Sequence, residues 1–309
     1  KLSAFKILDS VPYKQLADGQ TIPTSILIPK KNFSPEQHSK LPIIVRWHGG
    51  GLITGHRLFP DWMPDFILSF AKEKNAIVLM PDYRLLPESK GVDIIDDVRD
   101  FLSWLSSEKL SGLLPEGIEA DWDKVVVNGE SAGGWLALQS AFVNVAHQHV
   151  KIQAVVAHYP MIDMRSAHFS APDNTKHLLG LPLADPEILH NYLAKLQQRD
   201  PGDEVAVTSR FPPAGLDIFS ISAREGLYTS LLGTEPRLYP IERLDDSEIA
   251  KAVEAGDFPP VWILHGSADT AVPVEGTLKF EKAFKQQFPS VSEKALKVSV
   301  REGEEHGFE

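Results

Sequence analysis

Lys124-Val125-Val126-Val127-Asn128-Gly129-Glu130-Ser131-Ala132-Gly133 runs from an apolar strand pattern straight into a glycine-bracketed serine. Behind it, Ala132 to Val145 is rich in Ala, Leu and Gly, which predicts a buried helix. The turn fits G-x-S-x-G, a strained strand-to-helix connection that lifts a serine hydroxyl to the top of a sheet. Gly129 and Gly133 make sense there because a side chain at either would collide with the neighbouring strand or helix. The amino end of a helix also favours developing negative charge.

Working outward, a second motif precedes the serine. Leu41 to Trp47 is apolar enough for a buried strand and delivers His48-Gly49-Gly50-Gly51 at its carboxyl end. A glycine run in that position offers backbone N–H groups to an oxyanion. Further strands are predicted at Thr21–Ile28 (as an edge strand), Ala76–Met80, Ala154–His158, Val261–His265 and Leu296–Val300. Helices are predicted at Val92–Leu105 and Val274–Phe288. This alternation predicts an α/β fold: a mostly parallel sheet with helices on both faces. From about 163 to 257 the alternation stops, and short helical patches, prolines and aromatics take over. The expected organisation is a core of 1–162 and 258–309, with 163–257 inserted as a helical cap over the strand ends, where ligands bind in open α/β sheets.

Composition narrows the function. A net charge of −11 repels phosphate backbones, so nucleic acid is not an expected partner. No apolar run reaches the roughly 20 residues that cross a bilayer. The absence of cysteine excludes disulfides, thiolate metal sites and a cysteine nucleophile, and it suits the cytoplasm. Oligomeric state leaves no signal.

A nucleophilic serine needs a base and an orienting acid, which in this arrangement follow it in the order acid, then histidine. Asp269 follows the strand Val261–His265, and His306 follows the strand Leu296–Val300, so both belong to the rim that carries Ser131. Glu304 and Glu305 are rival acids, but they adjoin the histidine. Among the other histidines, His48 is expected to brace the glycine loop, and His158 and His265 end strands as structural residues. Candidate pocket residues are Leu52, Trp62, Glu130, Phe211, Phe219 and Tyr228, each equally suited to packing.

His48-Gly49-Gly50-Gly51, Asp82-Tyr83-Arg84-Leu85-Leu86-Pro87-Glu88, Gly129-Glu130-Ser131-Ala132-Gly133-Gly134, Asp269 with Val272-Pro273, and His306-Gly307-Phe308 together resemble the hormone-sensitive-lipase-like branch of the α/β-hydrolases. The resemblance spans nearly the whole chain. It implies a carboxylesterase with Ser131, Asp269 and His306 as triad. The amides of Gly50, Gly51 and Ala132 would form the oxyanion hole, with no metal or organic cofactor. Glu130 stands where the family often has Asp, and Trp135 where it commonly has Asn. The amino-terminal stretch is short for the family's cap, and the sequence stops three residues after His306. The expected substrate is a small-molecule ester of small to medium acyl chain. Two other readings stand beside it: acyl chemistry on a specialised lactone, thioester, amide or natural-product intermediate, and a non-catalytic ligand-binding protein.

Overall fold

Ile43-Ile44-Val45 and Val125-Val126-Val127 are apolar at successive positions, so their strands have to be covered on both faces. The computed structural model describes residues 2–30, 39–200, 203–208 and 215–309, and in it both runs lie in the middle of one eight-stranded sheet. The strands are β1 (Phe5–Gln15), β2 (Thr21–Pro29), β3 (Ser39–Trp47), β4 (Ile77–Pro81), β5 (Ile118–Glu130), β6 (Ile152–His158), β7 (Val261–Gly266) and β8 (Leu296–Arg301). Their spatial order is β1-β2-β4-β3-β5-β6-β7-β8. β2 runs antiparallel to both its neighbours, and every pair from β4 to β8 is parallel.

One strand expectation is corrected. Thr21–Ile28 is not the edge, because β1 pairs along its outer side. β1 buries only Phe5 and Tyr13, so its apolar signal is weak, and its Pro12 is the kind of residue an edge strand tolerates.

Among the described residues the helices are α1 (Asp65–Lys74), α2 (Gly91–Leu105), α3 (Glu108–Ser111), α4 (Ala132–His147), α5 (Ala167–Ser170), α6 (Glu187–Leu196), α7 (Leu216–Arg224), α8 (Tyr228–Leu232), α9 (Pro240–Arg243), α10 (Ser247–Ala255), α11 (Val274–Gln287) and α12 (Ser292–Ala295). α2 buries Ile94, Ile95, Val98, Phe101, Leu102 and Leu105, the stripe its periodicity predicts. α4 is buried on every side from Ala132 to Val143, which accounts for its lack of a polar face. Inside it, Ser140 Oγ accepts the indole N–H of Trp47 at 3.0 Å. α5 to α10 all fall between β6 and β7, and the described residues of that stretch contain no strand. No described helix is long and apolar enough to cross a membrane.

The join of β5 to α4 is the tightest point of the fold. Ser131 sits at φ 58° and ψ −117°, a conformation that costs a non-glycine residue on the order of 1–3 kcal/mol. The turn is held because Ser131 N–H donates to His158 O at 2.9 Å and Gly134 N–H donates to Ser131 O at 3.0 Å. A Cβ at Gly129 would lie 1.9 Å from Gly133 O, and one at Gly133 would lie 2.1 Å from Trp47 O. Both obstacles are backbone and cannot rotate away. Gly133→Ala is therefore expected to destabilise the protein by more than about 3 kcal/mol. Urea unfolding followed by circular dichroism measures this, and a loss below about 1 kcal/mol would show that the contact is relieved at little cost.

Candidate active site

Three carboxyl-terminal strand ends bring the site together. β5 presents Ser131, the loop after β7 carries Asp269, and the loop after β8 carries His306. His306 Nδ1 lies 2.7 Å from Asp269 Oδ2. Asp269 is further held by the N–H groups of Ala271 at 2.9 Å and Val272 at 2.7 Å on Oδ1, while His265 Nε2 stands 3.3 Å from Oδ2. Burial pushes the Asp269 carboxyl up, but hydrogen bonds from His265, His306 and the backbone outweigh it and bring it down to about 2. An ionised carboxylate can only accept, so His306 Nδ1 carries the hydrogen of this bond. His265, expected to be structural, is locked by Thr277 Oγ1 at 2.8 Å and Val272 O at 2.8 Å.

The rival acid Glu305 has a different position. Its carboxylate accepts from Thr270 N–H at 2.6 Å, from the Thr270 hydroxyl at 2.9 Å and from the His306 amide at 2.9 Å. It ties the histidine loop to the acid loop and leaves Nδ1 to Asp269. Nothing in the sequence pattern marked Thr270, because the bond joins residues that only the sheet order makes adjacent.

The glycine loop is aimed by its carbonyls. In a planar trans peptide the C=O and N–H point in opposite directions, so anchoring one directs the other. Gly49 O lies 2.8 Å from His48 Nδ1, which sets the Gly50 N–H. Gly50 O accepts from Ile53 at 3.0 Å and Thr54 at 2.9 Å, which sets the Gly51 N–H. Ser131 O accepts from Gly134, Trp135 and Met161, which sets the Ala132 N–H at the first position of α4. His48 braces the loop as expected. Burial drives its imidazole down to about 3, so it is neutral, and its ring stacks on Tyr83 with centroids 4.5 Å apart.

Ser131, His306, Gly49, Gly50, Gly51 and Phe219 face one cavity of about 250 Å³, walled by Trp62, Met63, Pro64, Tyr159, Leu179 and Leu216. Of the side chains bordering it, Trp62, Phe219 and Glu130 were pocket candidates in the sequence. No hydrogen bond links Ser131 Oγ to His306 among those of the described residues, in keeping with catalytic bonds that tighten only around substrate. A larger depression of about 1140 Å³ lies at the far end of α4, where β6 and β7 begin, remote from these groups.

The other pocket candidates lie in different places. Leu52 is fully buried and does not reach the cavity, and its carbonyl accepts Leu86 N–H at 2.8 Å. Tyr228 is also fully buried and donates its hydroxyl to Gly51 O at 2.9 Å. Glu130 borders the cavity, but its carboxylate is taken: Arg46 Nη2 lies 3.0 Å away and Asn128 Nδ2 2.7 Å. Burial pushes that carboxyl up, and Arg46 opposes the shift. Phe211 lies outside the described residues.

The chain is similar to several known proteins. It matches the family described as alpha/beta hydrolase fold over residues 44–215. It is 30% identical over 299 residues to a probable carboxylesterase of Phoma sp., covering 96% of this chain and 88% of that one. It is 26% identical over 308 residues to a non-reducing polyketide synthase of Acremonium egyptiacum, covering 92% of this chain but only 14% of the synthase. In overall shape it is similar to Thermogutta terrifontis esterase 2 phosphonylated by sarin, with a TM-score of 0.57, 19% identity and coverage of 100% of this chain and 87% of that one. That last likeness concerns the fold alone.

The lowered pKa of Asp269 has a consequence for stability. Its folded value of about 2 lies below the ordinary 3.8, so the ionised carboxylate stabilises the fold above that range and the effect is lost as pH falls through about 2. The shift corresponds to about 2 kcal/mol. In Asp269→Asn, the stability lost between about pH 5 and about pH 2 is expected to shrink by that amount. Urea unfolding at the two pH values reads it, and an unchanged pH dependence would contradict the assigned hydrogen bonds.

Proposed function

The chain belongs to the α/β-hydrolase family and is a hydrolase, and from that premise we propose that it cleaves carboxylic esters of small to medium acyl chain through an acyl-enzyme on Ser131. The observation that carries this reading is the 2.7 Å bond between His306 Nδ1 and Asp269 beside a cavity that His306 shares with Ser131.

His306 Nε2 takes the proton of Ser131 as Oγ attacks the ester carbonyl. Asp269 holds the Nδ1–H tautomer and stabilises the imidazolium that results. The N–H groups of Gly50, Gly51 and Ala132 bind the tetrahedral oxyanion, and loss of one such donor costs about 10²–10³ in kcat. His306 then protonates the departing alcohol, and water, deprotonated by the same imidazole, releases the acid. The imidazole must be neutral to act as base, so turnover falls as the pH is lowered. Residues 163–257 serve as a cap, since Leu179, Leu216 and Phe219 from that stretch wall the cavity.

A specialised thioester or natural-product substrate is the second reading. The likeness to a segment of the Acremonium egyptiacum polyketide synthase favours it.

Hydrolysis of p-nitrophenyl esters from acetyl to long acyl chains, by wild type and Ser131→Ala, tests the first reading. Turnover is expected to peak at short chains and to fall about 10⁴-fold or more in the variant. Turnover that survives Ser131→Ala would remove the serine from the mechanism. N-acetylcysteamine thioesters of the same acyl groups separate the readings: preference for them over the oxygen esters would favour the second.

A further inference from the structure

We propose that Tyr228 and Phe219, both contributed by the 163–257 insertion, are positioning residues for the oxyanion loop, so that the insertion completes the catalytic machinery as well as covering it. The inference rests on the reading of Gly50, Gly51 and Ala132 as the oxyanion hole.

The glycine loop has three carbonyls to anchor. The first two are held from within the core, by His48 and by the amides of Ile53 and Thr54. The third, Gly51 O, accepts the hydroxyl of Tyr228 at 2.9 Å from α8, 177 residues away. Tyr228 is fully buried, and its ring stands edge-on to Phe169 with centroids 5.3 Å apart, so the hydroxyl is presented from a fixed position. Phe219, from α7, lies on the same glycine. A Cβ at Gly51 would come within 2.2 Å of the Phe219 ring and 2.5 Å of the Tyr228 oxygen.

The geometry thus explains why position 51 is glycine on two grounds. Its φ is +65°, and the space a side chain would fill is already occupied by the insertion. Gly51 N–H is one of the three donors; Gly50 O sets the plane of its peptide, and the Tyr228 bond fixes the next peptide and with it the position of the Gly51 Cα from which that N–H departs. Deleting the hydroxyl leaves Gly51 O buried without that partner and frees the loop to rotate. Since donors act only when they are pre-aimed at the position of the oxyanion, the loss falls on the transition state and not on substrate binding.

The test compares wild type, Tyr228→Phe, Phe219→Leu and Ser131→Ala. Three quantities are read: kcat and KM on p-nitrophenyl acetate, the inhibition constant of 1,1,1-trifluoroacetone, and the melting temperature. Trifluoroacetone reports on the oxyanion hole because the Ser131 oxygen adds to its carbonyl carbon, the serine proton passes to His306, and the former carbonyl oxygen becomes the oxyanion. Its carbonyl carries only a methyl and a trifluoromethyl group, so it has no acyl chain to lie along the cavity wall.

For Tyr228→Phe, kcat is expected to fall about 10-fold with KM within about twofold, and trifluoroacetone is expected to bind more weakly by the same factor. Phe219→Leu is expected to weaken trifluoroacetone in the same direction, which keeps the test open if Tyr228→Phe does not fold. Wild-type kcat in folded Tyr228→Phe overturns the inference. So does a raised KM at constant kcat, which would make Tyr228 a substrate contact, or a lowered kcat with undiminished trifluoroacetone affinity. Turnover that survives in Ser131→Ala overturns the proposed function itself and this inference with it. An inactive Ser131→Ala beside an unaffected Tyr228→Phe overturns this inference alone.

Discussion

The backbone at Ser131 turns from strand to helix through a left-handed conformation, and the rest of the site is arranged around that turn. β5 and α4 can meet this closely only because residues 129 and 133 lack side chains, with Gly133 pressed against the Trp47 carbonyl. The same closeness puts the end of β3, and hence the glycine loop, beside the serine. Ser131 and the glycine loop are therefore neighbours as a consequence of one backbone contact. The strain at Ser131 is tolerated because His158, Gly134 and Met161 bond its backbone from three directions.

Below the turn the protein buries charge. Arg46 and Glu130 are almost completely removed from water, and Arg46 also donates to the carbonyls of Arg57 at 3.3 Å and Trp62 at 2.6 Å. Such a pair adds little net stability against an apolar replacement, but removing one partner typically costs about 3–5 kcal/mol. Its effect here is positional. It fixes the residue before the serine to the segment around Trp62, which is one wall of the cavity. Asp82 and Arg57 form a second buried pair beside His48, and burial pushes Asp82 up to about 6 despite the guanidinium. Glu130 was a candidate substrate contact in the sequence. Arg46 is the reason it is engaged elsewhere, and nothing in the local sequence pairs the two, since they meet across neighbouring parallel strands.

The insertion between β6 and β7 is bonded to the core at several points. Trp135 and Gln139 of α4 donate to the carbonyls of Leu238 and Arg237, at 2.8 and 3.1 Å. His168 Nε2 stands 3.1 Å from Ala271 O in the acid loop, and Leu179 N–H donates to the Thr270 hydroxyl at 3.2 Å. Trp135, which occupies a position where the resembling family commonly has Asn, is thus an anchor for this segment. With Tyr228 on Gly51, the inserted stretch is bonded to the loop that carries Asp269 and to the glycine loop.

Local pattern alone determined most of the framework. The runs at Ile43–Val45, Val125–Val127 and Val261–Leu264 are apolar enough to specify buried strands, and the α2 stripe specifies one buried helix face. Glycine spacing marked the turn at Ser131 and the loop at Gly49–Gly51, because only a missing side chain permits those turns. That Ser131, Asp269 and His306 share one rim was legible because each follows the end of a predicted strand. The edge strand β1 escaped, since a strand that buries only two residues carries little periodicity. The roles of Tyr228, Leu52, Glu130 and Thr270 also escaped. Each is set by a partner far away in the chain, and a side chain's direction depends on packing that no local window contains. Sequence fixes which residues can do chemistry, and tertiary structure decides which of them point into the cavity and which hold the others in place.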